Sequence, residues 1–387
     1  MPVAATVAVL MVGAKPLRGG PGVVLNAPPL QLLGRLSYAW YLWHWPFLVF
    51  AAEWVPVSTP GTRTLAALAA LGAAGATHVL VENPIRFHPS LVRSTRRSFA
   101  MAAALMVVSV GASAALVRLG AQRANTPAMA AITAAATDLG RLPREECLPR
   151  PSSGEVRVCS FGDTASPVRV VLFGDSHAMH WFNPFERIAA EHHWRLTLVT
   201  RSGCRGIDLP IRRDEGQSAG CREWRSAVIG AIDQLHPTVV LMANATTRLA
   251  RGGEGSATMV YDATRRTLRE LSSRGIPVVV LRDTPFYPFA IPICLARRGG
   301  THPEHCQLQR AAALPELIYE AERRAARGLG RVQFVDLSAQ LCPEGRCPVV
   351  SGGTIMYRDD GHITGAFADM LKPALDSALM TVMRVGG

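Results

Sequence analysis

VRVVLFGDSH, residues 168–177, is the stretch around which the second part of the chain is organised. Its mostly apolar, β-branched beginning predicts a buried strand over Val168–Phe173. A glycine, an aspartate and Ser176 follow at once, and a helix is predicted over 183–194 because an asparagine cap precedes a proline there. The sequence therefore places Ser176 at the tip of a strand-to-helix turn, where its hydroxyl is accessible and backbone N–H groups can hold an oxyanion.

A second polar stretch, YRDDGH at residues 357–362, supplies what a serine nucleophile needs. Serine alone is a weak nucleophile and requires a base within hydrogen-bond reach. His362 can be that base, and Asp359, three residues earlier, can orient its imidazole from the same loop. Asp360 is the alternative orienting carboxylate. Because Gly-Asp-Ser is also common turn chemistry, the catalytic interpretation of Ser176 depends on the flanking strand, the following helix and this late Asp-x-x-His.

Alternating strands and helices predict the architecture around these two stretches. Such alternation indicates a parallel sheet covered by helices on both faces, an α/β domain. Ligand sites in such sheets lie at the carboxyl ends of the strands. Ser176, Gly203 and Asn244 each follow a predicted strand, so we expect them to converge at that edge. The predicted strands are 168–173, 195–200, 238–243, 277–281 and 332–335.

The cysteines indicate the compartment of this domain. All eight lie after residue 146, they form successive short-range couples, and they lack the spacing of a metal site. An even number confined to one region predicts disulfide bonds and an oxidising compartment. The alternative is a set of reduced cytosolic thiols. The expected pairs are Cys147–Cys159, Cys204–Cys221, Cys294–Cys306 and Cys342–Cys347.

The first third of the chain is apolar and predicts membrane-spanning α-helical segments. Spans are expected at about 36–55, 63–81 and 99–117, and residues 1–14 are expected to be the end of a longer transmembrane helix. The basic loop before the last span is cytosolic by the positive-inside rule, so that span leads the chain out of the cytosol. The alternative is a soluble protein with buried core helices. The formal net charge is +12, but the sequence has no basic run interleaved with aromatic residues, so we expect no nucleic-acid partner.

Both ends of the globular region resemble the SGNH (GDSL-like) hydrolase and acyltransferase superfamily. The resemblance lies in Gly174–His177 and in Asp359–His362. It implies a nucleophile Ser176, a base His362 and an orienting Asp359, and an oxyanion hole to which Gly203 and Asn244 contribute. Gly203 can equally be a turn glycine beside a disulfide, and Asn244 a loop-capping amide.

The membrane region has a resemblance of its own. Gly34–Tyr38, Tyr41–Pro46 and Val81–Pro84 look like the last helices of the acyltransferase-3 membrane family, some members of which carry an extracytoplasmic SGNH domain. We therefore expect a partial acyltransferase-3-like region over 1–118 that lacks the N-terminal helices. A linker over 119–165 and an extracytoplasmic SGNH-like domain over 166–387 follow.

Together the resemblances imply a multi-pass protein of the cell membrane that acts as an O-acyltransferase. It would transfer an acyl group, expected to be acetyl, through a serine acyl-enzyme to a cell-envelope polysaccharide. The resemblance implies no bound cofactor or metal, and an acyl donor derived from acetyl-CoA through a membrane acyltransferase domain, which a partner membrane protein can supply. The alternatives are an envelope carbohydrate esterase with the same triad and a non-catalytic accessory module of a partner acyltransferase.

Overall fold

The computed structural model describes residues 26–54, 59–141, 143, 145–148, 153–209, 218–297 and 300–385. The chain divides into two compact units, residues 1–120 and 121–387. The transmembrane helix end predicted in residues 1–14 lies outside the described residues.

The first unit is helical. The helices Pro28–Trp54 and Pro60–Thr77 pack against each other, and the small side chains of Ala70 and Ala74 are fully buried. Small side chains let helix backbones approach closely, and the indole N–H of Trp40 donates to the Ala67 carbonyl across the contact at 3.0 Å. The helices are Pro28–Trp54, Pro60–Thr77, the π-helical turn His78–Glu82, Asn83–Arg86, Pro89–Val92 and Thr95–Ala124.

Two helical runs among the described residues are long and apolar enough to cross a membrane, Pro60–Arg86 and Thr95–Ala124. They contain the predicted spans 63–81 and 99–117. The predicted span 36–55 falls mostly within the helix Pro28–Trp54, which does not meet the same criterion, so the expectation of three spans is corrected to two possible ones. The physical reason is composition, because the tryptophan, tyrosine and histidine side chains of this helix carry polar groups that lower its mean hydropathy.

The strands of the second unit are β1 Cys159–Gly162, β2 Arg169–Gly174, β3 Arg195–Thr200, β4 Val239–Ala243, β5 Val278–Leu281, β6 Leu308–Gln309, β7 Val332–Val335, β8 Arg346–Cys347, β9 Val350–Ser351 and β10 Thr354–Ile355. Six of them form one sheet with the order β1-β3-β2-β4-β5-β7. All neighbouring strands run parallel except β1, which lies antiparallel to β3 at the edge. The predicted parallel sheet is confirmed for five of the six strands, and the antiparallel edge strand was not predicted.

Helices cover both faces of this sheet. Successive residues of a strand point to opposite faces, and in β2 Leu172 packs into one buried apolar cluster while Val171 and Phe173 pack into another. Burial on both faces explains why the strands read as continuous apolar runs. The α-helices of this unit are Pro127–Thr137, Ser176–Met179, Phe182–Glu191, Ser218–Gln234, Gly253–Ser273, Ile291–Arg297, Arg310–Ala313, Glu316–Ala326, Ser338–Leu341, Gly365–Met370 and Lys372–Val385.

The stretch 119–165, predicted as a linker, contributes to the fold. It supplies β1 and the helix Pro127–Thr137, whose Ile132 is buried in the core. All four predicted disulfide pairs are confirmed: Cys147–Cys159, Cys204–Cys221, Cys294–Cys306 and Cys342–Cys347.

Candidate active site

The turn that carries Ser176 begins where β2 ends. Gly174 has φ +145°, and a Cβ at this position would collide with the carbonyl oxygen of Ala243 on β4, so only glycine fits. The carboxylate of Asp175 accepts from the backbone N–H of His177 at 2.8 Å and from that of Ala245 at 2.9 Å. Asp175 therefore caps the short helix that starts at Ser176 and ties the turn to the segment after β4.

Ser176, His362 and Asp359 form a continuous hydrogen-bonded chain. The Ser176 hydroxyl lies 2.8 Å from Nε2 of His362, whose Nδ1 donates to Oδ2 of Asp359 at 2.7 Å. The other Asp359 oxygen accepts from the backbone N–H groups of Gly361 and His362 at 2.9 and 2.7 Å. The structure thus brings these three predicted residues together in the order nucleophile, base and orienting acid.

Asp359 is held in its ionised form. Burial raises the pKa of its carboxyl group, but hydrogen bonds from the His362 ring and from two backbone N–H groups, together with the charge of His362, outweigh burial. The net pKa lies well below the ordinary aspartate value. An ionised Asp359 fixes the tautomer of His362 that leaves Nε2 free to accept the serine proton.

The loop that carries Asp359 is held by the segment that follows β5. The Thr284 hydroxyl donates to the Gly361 carbonyl at 2.8 Å, and the backbone N–H groups of Tyr287 and Ile291 donate to the carbonyls of Asp360 and Asp359 at 2.8 and 3.1 Å. Three separate hydrogen bonds therefore position the base and its orienting acid on a rigid support.

The predicted oxyanion residues follow the two strands that flank β2. Gly174 is in register with Thr200 on β3 and with Ala243 on β4, so Gly203 and Asn244 belong to the same sheet edge as Ser176. The side-chain oxygen of Asn244 accepts from the Gly206 N–H at 2.6 Å, which leaves its NH₂ group as the available donor.

Gly203 has φ +73° beside the disulfide of Cys204. Both the turn interpretation and the oxyanion interpretation of Gly203 are compatible with that conformation.

A second histidine–aspartate pair, not predicted from the sequence, lies against the first. His177 Nδ1 donates to Oδ1 of Asp283 at 2.6 Å, and the His177 ring centroid lies 4.5 Å from that of His362. Asp283 also accepts from the backbone N–H groups of Thr246 and Thr247 at 2.8 and 2.7 Å. The sequence signal for Asp283 was its position two residues after β5, at the edge where Ser176 also lies.

The ring of His180 completes a cluster of three histidines. It lies 5.1 Å from the His177 ring and 6.1 Å from the His362 ring, and neither of its nitrogens has a hydrogen-bond partner among the residues that the structure describes. Burial and the charges of His177, His362 and Arg358 hold the pKa of His180 well below the ordinary histidine value, so it is neutral.

His177 and Asp283, in contrast, form a buried ion pair. Burial lowers the pKa of His177, but the charge and hydrogen bond of Asp283 reverse that effect and raise it. Burial likewise raises the pKa of Asp283, and His177 and the backbone donors bring it below its usual value.

A separate group of side chains with ligating atoms lies on the surface of the second unit. Within the described ranges, His302, Glu304 and His305 are the one set whose ligating atoms all lie within 4.8 Å of one another. All three are exposed, and His302 Nδ1 donates to Glu304 at 2.9 Å. The chemistry of Ser176 does not involve them.

Comparison with protein families identifies the family to which the second unit is similar. The family model described as SGNH domain (fused to AT3 domains) matches residues 146–377, which is more than half of the chain. The chain belongs to this SGNH family. The match leaves out the predicted membrane region, so the resemblance of that region to acyltransferase-3 helices stays a prediction.

Solved structures similar to this SGNH protein include an acetyltransferase domain and a lipase. The periplasmic domain of the lipopolysaccharide acetyltransferase of Salmonella ser. Paratyphi A is 16% identical, with a TM-score of 0.45, over 56% of this chain and 85% of that one. A GDSL-like lipase of Bacteroides thetaiotaomicron is 13% identical, with a TM-score of 0.34, over 56% and 87%. No curated protein matches the chain in sequence. The family match, together with the hydrogen-bonded Ser176, His362 and Asp359, indicates acyl transfer or ester hydrolysis.

Proposed function

We propose that this SGNH protein is a membrane-anchored O-acyltransferase that transfers an acetyl group to a cell-envelope polysaccharide through a serine acyl-enzyme. The observation that carries the proposal is the unbroken chain of hydrogen bonds from Ser176 through His362 to Asp359 at the carboxyl edge of the sheet. A serine in contact with a base, and a base in contact with an ionised acid, is the arrangement required for nucleophilic attack on an acyl carbonyl.

The reaction proceeds in two half-reactions. In the first, His362 Nε2 takes the proton of the Ser176 hydroxyl as Ser176 Oγ attacks the acyl carbonyl. The N–H groups of Ser176 and Gly203 and the NH₂ group of Asn244 stabilise the oxyanion, a contribution of about 3 kcal/mol per donor. The tetrahedral adduct then collapses: the bond between the acyl carbon and the donor's leaving group breaks, the leaving group takes the proton from His362, and the acyl group remains on Ser176 as an ester.

In the second half-reaction a sugar hydroxyl of the acceptor attacks this ester. His362 now removes the proton of that hydroxyl and returns it to Ser176 Oγ as the acyl bond to the serine breaks. Asp359 keeps the imidazole oriented and stabilises its charged form in both steps. The product is an O-acylated sugar and a free serine.

The compartment proposed for this chemistry is extracytoplasmic. Four disulfides in the second unit favour an oxidising environment. The helix Thr95–Ala124 has no buried residue, as expected for a helix that lipid surrounds. An acetyl donor derived from acetyl-CoA would reach Ser176 through a membrane acyltransferase domain.

The full chain in mild detergent, supplied with p-nitrophenyl acetate and envelope oligosaccharides, tests the proposal. Ser176→Ala is the informative variant, and Ser273→Ala, an exposed serine at the end of a helix, is its matched control. We expect acetylated oligosaccharide by mass spectrometry, lost in Ser176→Ala and kept in Ser273→Ala. Acetate released only to water would establish the esterase instead. Absence of Ser176-dependent turnover in a folded protein would support a non-catalytic accessory module.

A further inference from the structure

Two arginines and a phenylalanine form a compact cluster in the second unit. Arg248 and Arg251 lie on the 3₁₀ helix Thr247–Gly252, and their guanidinium carbons lie 5.2 and 4.7 Å from the centroid of the Phe286 ring. Both arginines are exposed, and Phe286 is half-buried. A guanidinium within about 6 Å of an aromatic ring is attracted by the electron-rich face of the ring. Phe286 therefore holds two flexible cationic side chains in place.

This arginine–phenylalanine cluster adjoins the candidate active site. The backbone N–H of Thr247, the residue before Arg248, donates to Asp283, and the same carboxylate holds His177 against His362. Phe286 belongs to the segment that supports the catalytic loop.

Phe286 lies next to Gly361 of that loop. A Cβ built on Gly361 would lie 3.5 Å from Cδ2 of Phe286 and 3.6 Å from Cε1 of His177. The Phe286 ring thus lies beside the residue that precedes His362, and the two cations lie over that ring.

The charges of the cluster are not balanced by the part of the chain that the structure describes. No aspartate or glutamate of that part lies within ion-pair distance of Arg248 or Arg251, whereas Arg266 and Arg274 have such partners. Two like charges held over one ring repel each other, and this repulsion is relieved when an anion binds between or across them. Each guanidinium also offers a planar fork of donors that matches the two oxygens of a carboxylate or a phosphate.

We propose that Arg248 and Arg251, positioned by Phe286, form an anion-binding subsite, and that the acceptor is an acidic polysaccharide bearing carboxylate or phosphate groups near the hydroxyl that is acylated. The inference rests on the proposed function, since it names the substrate class of that site. It assigns specificity to residues outside the Ser176–His362–Asp359 chain. The subsite binds the anion and takes no part in bond making.

The test measures binding without acyl transfer. The full chain in detergent is titrated by calorimetry with trigalacturonate and with its fully methyl-esterified form, which has the same sugars and no charge. The double variant Arg248→Gln/Arg251→Gln is compared with Arg222→Gln/Arg269→Gln, which removes two exposed charges elsewhere. We expect the first variant to bind trigalacturonate about 100-fold more weakly, at about tenfold per arginine, and the control to bind like the wild type.

A second variant distinguishes a loss of anion binding from a loss of folding. Phe286→Leu keeps both charges but removes the ring, and we expect an intermediate loss of about fivefold in affinity for trigalacturonate. The melting temperature of each variant shows that it is folded.

Three results would overturn the subsite. The first is equal affinity of the wild type for trigalacturonate and its methyl ester, and the second is undiminished binding in the arginine double variant. The third is arginine-dependent binding of short-chain phosphatidylglycerol alone, which would assign the cluster to the membrane surface. The separate turnover assay with Ser176→Ala decides the proposed function, because the titration contains no acyl donor.

Discussion

Glu322 is a buried acid behind the site, and its replacement by glutamine is expected to change how stability depends on pH. Its side chain is 6% exposed, and Oε1 accepts from the Thr246 hydroxyl at 3.1 Å. Burial and the nearby charge of Asp283 raise the pKa of Glu322 to about 8, against the opposing effects of the Thr246 hydrogen bond and the Arg282 charge. At neutral pH the folded protein therefore keeps this carboxyl group protonated.

The magnitude follows from proton linkage. The ordinary pKa of a glutamate is 4.5, so between pH 4.5 and about 8 the folded state binds a proton that the unfolded state releases. The free energy of unfolding must then fall as pH rises through that window. A full shift of this size corresponds to at most about 5 kcal/mol, at about 1.4 kcal/mol for each pH unit. Glu322→Gln removes this contribution and keeps an acceptor for Thr246.

The assay is urea unfolding of the full chain at pH 5 and pH 8. Amide hydrogen exchange of peptides from β2 and β4 reports on the second unit alone. We expect the wild type to lose several kcal/mol more stability than Glu322→Gln between the two pH values. Glu320→Gln, on the exposed side of the same helix, is the control and should behave like the wild type. Equal pH dependence in wild type and Glu322→Gln would refute the argument that Glu322 is buried as a neutral acid.

Three further predictions concern the site and its support. Asp359→Asn should lower kcat for p-nitrophenyl acetate by about 10³-fold or more, because the imidazole loses its orienting charge. Asp360→Asn should retain most activity, and the opposite ranking would make Asp360 the orienting acid. Gly174→Ala should destabilise the second unit by at least about 2 kcal/mol in urea, since a Cβ there meets the carbonyl of the neighbouring strand; an unchanged midpoint would show that this turn can relax. Replacing Cys204 and Cys221 together by alanine should cost about 3 kcal/mol in the same assay, and a loss below 1 kcal/mol would contradict a loop-closure origin.

The strands and the nucleophile turn could be predicted because their signals are local. Strands β3 and β7 have the predicted ends, and β2, β4 and β5 differ by one residue at one or both ends. Buried parallel strands appear in the sequence as short runs of Val, Ile and Leu. The residue after each run lies at the carboxyl edge of the sheet, where ligand sites form. The pairing of Ser176 with His362, which lie 186 residues apart, was predicted from the need of a serine nucleophile for a base and from the resemblance of two short blocks to the SGNH superfamily, and not from periodicity.

The contacts behind the site could not be predicted, since they depend on tertiary structure alone. Nothing in the neighbourhood of His177 indicates that its partner is Asp283, 106 residues later. The same holds for His180, because its local sequence does not indicate that both ring nitrogens are buried without a partner among the described residues. Strand β1 escaped prediction for another reason: its four residues are too few to show a period.

The four disulfides have a consequence for how the second unit matures. Each bond joins a cysteine to the next one along the chain, and the sequence separations are only 12, 17, 12 and 5 residues. Short loops close at a small entropic cost, so the nearest thiol is also the favoured partner. In the extracytoplasmic location proposed above, the order in which the cysteines would leave the translocation channel is the same as the order of the four pairs. Oxidation can then accompany export couple by couple, and no bridge has to wait for a distant part of the sheet.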